Sequence, residues 1–309
     1  MREYITLLIL LLSSISFPLT TCYAANAVPT PYQQMERILG RNGDFKDNVF
    51  RIEMPRNDIA FSLEDKRVPA SFGLTGSISV TRGTRGVYVM MGEWVLLRQE
   101  VNPVLSSLLQ NGFQVTAIHN HFLWDAPRII FLHMQGTGSN TNLANRVKRV
   151  LAVIGHTSPP SWSPDERTAD GTQGSFPPLT LDTKRLDQIL GRKGQQQENG
   201  VYQYSIDRSD IKLSMYGARI TERMGLHIEA QFMGTNERAM MATEMALLPA
   251  EVQPVLRVFR AYGIPISAVH NHMIGTTPEI IFVHTEANGT AVQLATALSA
   301  AIRQTGLRR

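Results

Sequence analysis

Glu100-Val101-Asn102-Pro103-Val104-Leu105 returns as Glu251-Val252-Gln253-Pro254-Val255-Leu256, a shift of 251 − 100 = 151 positions. The same shift carries Ile38-Leu39-Gly40-Arg41 onto Ile189-Leu190-Gly191-Arg192. It also carries His119-Asn120-His121 onto His270-Asn271-His272, Pro127 onto Pro278 and His133 onto His284. Arg56-Asn57-Asp58-Ile59 matches Arg208-Ser209-Asp210-Ile211 at a shift of 208 − 56 = 152, so a one-residue indel lies between. One unit is therefore written twice, over residues 31–155 and 181–306, and a shared period of this kind decides the architecture before any local reading does. Residues 156–180, rich in Pro, Ser, Gly and Thr, read as a linker.

Each unit has a legible order. A short helix (31–39; 182–190) ends at Gly40 or Gly191, a residue suited to the left-handed turn that closes a helix. Short β segments are predicted at 48–54 and 58–63, and at 201–206 and 210–215. The apolar run from Gly86 to Leu97 reads as a buried strand. Val101, Val104, Leu105, Leu108 and Leu109 recur at helical spacing up to Gly112. Val252, Val255, Leu256 and Phe259 repeat that stripe up to Gly263. Strands at 113–120 and 128–135 then form a hairpin, and a last helix closes each unit (141–154; 290–304). Both copies end β-α-β-β-α. The expected class is α+β, a tandem duplication with mostly antiparallel sheets and helices on one face.

Composition narrows the function. In 309 residues, 43% are hydrophobic and 18% charged, which supports packed cores and excludes wholesale disorder. Thirty Lys and Arg against 26 Asp and Glu give a net charge of +4, and the pI is about 9.3. That bias is mild, and no basic stripe with interleaved aromatics indicates a nucleic-acid partner. A single cysteine, Cys22, forms no intramolecular disulfide and builds no cysteine-based zinc site. P-loop, Gly-x-Ser-x-Gly, His-Glu-x-x-His and dinucleotide-binding patterns are missing, and His-Asn-His lacks the spacing of an HNH nuclease.

Residues 1–24 read as a secretory signal peptide: Arg2, an apolar run from Ile5 to Ile15, then small residues before Ala24. This places the mature protein outside the cytoplasm, periplasmic or secreted. A minority reading takes Leu19-Thr20-Thr21-Cys22 as a lipoprotein box, with membrane contact only through a lipid on Cys22.

The chemistry sits on the hairpin. Six of eight histidines occupy equivalent positions, as His-Asn-His, eleven residues, His. Residues i and i+2 of a strand share a face, so His119 and His121 are neighbours and the hairpin return brings His133 beside them. His270, His272 and His284 repeat the arrangement. Three neutral imidazoles on adjacent strands suit a divalent transition metal, zinc first among them, with an open position for hydrolysis. Glu100 and Glu251 are the leading carboxylates for ligand or general base. In a helix's first turn they also simply suit the dipole. Glu93 and Glu244, seven residues earlier, form a second pair whose plainer reading is surface exposure. Asn120 and Asn271 point away from the histidines and serve the hairpin backbone. Arg56 with Asp58, and Arg208 with Asp210, read as surface ion pairs.

Met91-Gly92-Glu93-Trp94-Val95-Leu96-Leu97, Glu100-Val101-Asn102-Pro103-Val104 and Val115-Thr116-Ala117-Ile118-His119-Asn120-His121, with Pro127 and His133, resemble the LppY/LpqO family, the DUF1259 domain. The resemblance spans nearly all of the mature chain. It implies an exported bacterial protein, in some members a lipoprotein, and brings no assigned reaction. Met241-Ala242-Thr243-Glu244-Met245-Ala246-Leu247-Leu248 departs from that pattern, so the first half is expected to hold the better-kept site.

Two functions follow. The first is an exported protein that binds a divalent metal through its duplicated histidines, a metal-dependent hydrolase if it is an enzyme, acting on a small molecule or an envelope component. The second is a non-catalytic envelope module that binds a ligand or partner, its histidines structural or pH-responsive.

Overall fold

The computed structural model describes residues 28–64, 66–155 and 180–307. The expected leader, Cys22 and, apart from Thr180, the expected linker lie outside them. Among the described residues, no helix is long and apolar enough to cross a membrane.

The first unit runs α1 (Thr30–Leu39), β1 (Asp44–Lys46), β2 (Val49–Pro55), β3 (Ser62–Leu63), β4 (Lys66–Arg67), β5 (Thr75–Arg82) and β6 (Tyr88–Leu97). It continues with α2 (Val101–Gln110), β7 (Gln114–His119), β8 (Asp125–Ala126), β9 (Ile129–Gly138) and α3 (Asn140–Leu151). The second runs α4 (Thr183–Leu190), β10 (Gln195–Gln196), β11 (Tyr202–Asp207), β12 (Leu213–Met215), β13 (Ala218–Ile220), β14 (His227–Gly234) and β15 (Ala239–Leu247). Its last elements are α5 (Pro249–Ala261), β16 (Ile266–Asn271), β17 (Ile281–Gly289) and α6 (Ala291–Ile302). Gly40 and Gly191 end α1 and α4 in the left-handed region, at φ 65° and 66°, as their chemistry suggests. Ser139 and Thr290 cap α3 and α6 by accepting from the backbone N–H of Asn142 and Gln293.

The sheets share one strand order, β1-β2-β5-β6-β9-β7 and β10-β11-β14-β15-β17-β16, with antiparallel neighbours throughout. This is the expected α+β duplication. Alternation sorts each strand. Phe50, Ile52, Ile78, Val80, Trp94 and Leu132 face α1, α2 and α3, whereas Arg51, Ser77, Ser79, Glu93 and His133 face away from them. The second sheet buries Tyr204, Ile228, Phe232 and Val283 under its own helices.

The helix-free faces meet. Each unit sends the excursion between β2 and β5, or between β11 and β14, across to the other. Phe61, Leu63, Phe72 and Leu74 bury against Val201, Met233 and Met240. In the equivalent place, Ile211, Leu213, Met224 and Leu226 bury against Val49, Val89 and Met91. The result is helices, sheet, sheet, helices, related by a pseudo-twofold. Edge strands β7 and β16 lie side by side. Asn120 Nδ2 donates to Ser267 O and Asn271 Nδ2 to Thr116 O, both at 3.2 Å, while Thr116 Oγ1 donates to His272 O at 2.6 Å. The two asparagines therefore join the halves as well as holding their own loops.

Two expectations change. Residues 58–63 and 210–215 form only the scraps β3 and β12, because their apolar side chains serve the other unit's sheet. The second long strand, β5 or β14, was hidden by composition: Thr75-Gly76-Ser77-Ile78-Ser79-Val80 looks like a turn but alternates strictly between seam and core.

Candidate metal centre

Register places the donors. Ala117 pairs with His133, and His133 with Glu93 across β9, so the three share the seam face. The second sheet repeats this as Ala268, His284 and Glu244. A bulge after Val115 or Ile266 brings His119 and His270 onto the same face at the strand ends.

Each triplet converges. His119 Nε2 lies 2.8 Å from His133 Nε2, and His270 Nε2 lies 2.8 Å from His284 Nε2. The Nδ1 atoms of His119 and His270 stand 3.1 and 3.0 Å from Asn120 O and Asn271 O. Only a protonated Nδ1 makes that contact favourable, which leaves the Nε2 lone pair facing the cluster, the usual arrangement of a ligating imidazole.

The triplets also merge. Ring centroids lie 3.5 Å apart for His119 and His270, 3.8 Å for His133 and His272, and 4.1 Å for His121 and His284. Phe131 and Phe282 stack on His121 and His272 at 3.4 and 3.5 Å, closing the flanks. The expectation of a separate site in each half, the first better kept, is thereby corrected: one cluster lies on the seam and both halves supply it. The remaining described histidine, His227, stands apart with Nδ1 against Glu222 O at 3.0 Å.

The carboxylates at the cluster are Glu93 and Glu244. His121 Nε2 lies 3.6 Å from Glu93 Oε1 and 3.9 Å from Glu244 Oε2. Glu244 also reaches His284 Nε2 and His272 Nδ1, both at 3.8 Å. Their signal in the sequence was an acidic residue in the middle of an apolar strand, in both copies. Glu100 and Glu251 are not brought to the histidines. Glu100 accepts from Arg56 Nη1 and Nη2 at 2.8 and 3.1 Å and from the N–H of Leu97 and Gly155. Glu251 accepts from Arg208, Leu248 N and Gly306 N. Every lone pair is thus committed to pinning the start of α2 or α5. The arginines are no surface pair, being 8% and 0% exposed.

Burial sets the charge state. It drives His119 down to about 3 and His270 to about 4, and pushes His121, His133, His272 and His284 well below the ordinary imidazole range. Neighbouring imidazoles add to the effect at every ring except His270. Burial raises Glu93 to about 8, with Arg51 opposing, and raises Glu244 well above the ordinary carboxylate range, helped by Glu93 and Glu229. Neutral imidazole is the ligating form, so the cluster is prepared for a cation. The buried Nε2 atoms of His121 and His272 have no hydrogen-bond partner, a cost that a bound ion would relieve. Three overlapping sets bring their donor atoms within 4.8 Å of one another: His119, His270, His272 and His284; His119, His121 and His133; His121, Glu244 and His284. The residues present fit a metal ion.

A cleft of about 610 Å³ leads from the cluster between the sheets. Arg51, Ser77 and Ser79 line one wall, and Gln203, Glu229 and Gln231 the other.

The sequence model described as Domain of Unknown Function (DUF1259) matches residues 33–153 and 184–304. The offset, 184 − 33 = 151, is the internal period itself. This chain belongs to the DUF1259 family. Each matched DUF1259 copy holds one histidine triplet and one seam glutamate, so both copies line the cluster. Comparison with curated proteins finds no match. Structures titled crystal forms III and IV of TP0453 are 12% and 13% identical. They cover 72% of this chain and 80% and 78% of their own, with TM-scores of 0.18 and 0.14, and likeness of that size carries no inference about the DUF1259 site.

Proposed function

We propose that this DUF1259 protein is exported and binds a divalent transition metal, zinc first among candidates, at the seam between its two copies, for hydrolysis of a small molecule or envelope component. The observation that carries this is the convergence of six imidazoles and two carboxylates, His133, His272 and His284 buried and the rest half-buried, with two imidazole nitrogens unpartnered. A bound ion would supply Lewis acidity and a water activated near neutral pH. The chain's own part is to hold the rings neutral, to orient His119 and His270 through Asn120 O and Asn271 O, and to admit ligand along a polar cleft. A pH switch draws less support, because burial keeps these rings neutral through the range in which such a switch operates. Export rests on the leader-like residues 1–24, and N-terminal sequencing of the envelope-fraction protein tests it. A mature end after Ala24 is expected, and an intact Met1 contradicts export by cleavage.

Metal content of untagged purified protein tests the centre. At least one equivalent of transition metal per chain is expected, with a rise in Tm when zinc is returned to stripped protein, since a ligand held only by the folded state stabilises it. Less than about 0.1 equivalent and no shift with zinc would overturn the reading.

A further inference from the structure

We infer that the seam holds two divalent ions in one dinuclear centre, with Glu244 bridging them. This rests on the metal reading above and adds the number of ions and the role of one residue.

The donor set is too wide for a single ion. Zinc takes imidazole and carboxylate ligands at about 2.0–2.2 Å, so even opposite ligands of one ion stand no more than roughly 4.4 Å apart. Each overlapping set of donors fits within 4.8 Å, yet among the described residues no set gathers all six imidazoles. His121 and His133 gather with His119, and His272 and His284 gather with His270 and reach His119, while the third set joins His121 and His284 through Glu244. Eight donors also exceed the four to five that zinc ordinarily accepts. Divided along the pseudo-twofold, they give three imidazoles and one carboxylate on each side.

Glu244 is placed to serve both sides. Its Oε2 lies 3.9 Å from His121 Nε2 of the first triplet and 3.8 Å from His284 Nε2 of the second, and its Oε1 lies 3.8 Å from His272 Nδ1. These spacings are too long for hydrogen bonds and leave the carboxylate facing both groups of rings. Among the described histidines Glu93 lies within 4 Å of His121 alone, so the equivalent residue of the first half is an end ligand. Bridged pairs of this kind hold their ions about 3.5–4 Å apart, close enough for one substrate oxygen to meet both.

The test is a titration of stripped, untagged, full-length protein with cobalt(II) alone, followed by visible absorption and by magnetic susceptibility or electron paramagnetic resonance. Two equivalents are expected, with the spins coupled. Glu244→Gln, which keeps the side chain's shape, is expected to abolish the coupling and weaken the second equivalent at least about 10-fold, whereas Glu93→Gln keeps the coupling. Saturation at one equivalent, two uncoupled ions, or coupling that survives Glu244→Gln overturns the inference and leaves the metal reading standing. No cobalt uptake at all overturns the metal reading itself. Should Glu244→Gln fail to fold, the wild-type stoichiometry and coupling still decide between one ion and two.

Discussion

Strand β6 reads Met91-Gly92-Glu93-Trp94-Val95 where β15 reads Ala242-Thr243-Glu244-Met245-Ala246. On the helix side the copies have drifted together with their neighbours. A Cβ on Gly92 would stand 2.6 Å from the Met134 side chain, whereas Thr243 Oγ1 and Thr285 Oγ1 share a hydrogen bond at 2.8 Å in the equivalent slot. One pair fills the space with a glycine and a long methionine, the other with two threonines, because a core demands volume more than identity. On the seam side the glutamate is the same in both. The cleft walls differ again: Arg51, Ser77 and Ser79 face Gln203, Glu229 and Gln231. Matched donors thus stand beside unmatched walls.

The strongest way to test the equivalence of the halves is to break their buried ion pairs. Arg208→Ala strands Glu251 in the first turn of α5 and is expected to cost about 3–5 kcal/mol. Arg56→Ala is expected to cost somewhat less, because Asp58 is largely exposed while Asp210 is not. Denaturant midpoints measure both, and a cost under about 1 kcal/mol at either would show that the network is not structural.

At the donors the halves should behave alike. His119→Ala and His270→Ala are each expected to weaken zinc at least about 100-fold, since even outer partners of a ligating histidine cost 10–100-fold. Competition with a chromophoric chelator reads this, and a tenfold difference between the two variants would end the claim of equivalence.

Acid gives a smaller effect. The cluster histidines titrate near 6.5 when unfolded but near or below 4 when folded at His119 and His270. The unfolded state therefore binds more protons below pH 6.5, and metal-free stability is lost as pH falls from about 6.5 toward 4. Glu93 works in the opposite sense, since its folded value of about 8 removes stability as pH rises above the ordinary carboxylate range. Denaturation of stripped protein at pH 4.5 and 6.5 should show the first trend, weakened in His119→Ala. No change across that window would mean the rings are already charged in the fold.

Least costly is Arg51→Gln, which copies Gln203 and removes one of the three differences between the walls. Arg51 opposes the rise of Glu93, so its loss moves zinc uptake to higher pH with little change in Tm. An unmoved pH profile of zinc affinity would remove Arg51 from the site's electrostatics.

Much of this was legible in the residues. The 151-residue period, the helix stops at Gly40 and Gly191 and the hairpin bearing His119, His121 and His133 follow from pattern and spacing. The merging of the triplets was not legible, because it depends on how the halves dock. The segments responsible, around Phe61 to Leu74 and Ile211 to Leu226, look in sequence like ordinary short strands. Glu100 and Glu251 attracted attention by recurring at a helix start, yet recurrence cannot distinguish a ligand from the partner of a buried arginine. Glu93 and Glu244 recur equally, and only strand register shows them beside His133 and His284.

Zinc binding to His119→Ala and to His270→Ala, each with the other half intact, tests the shared seam most directly. The account predicts that either substitution weakens both ions, because Glu244 faces the rings of both triplets and His119 stands within reach of donors from each half. A variant that keeps one ion at wild-type affinity would contradict it and return the molecule to two independent sites.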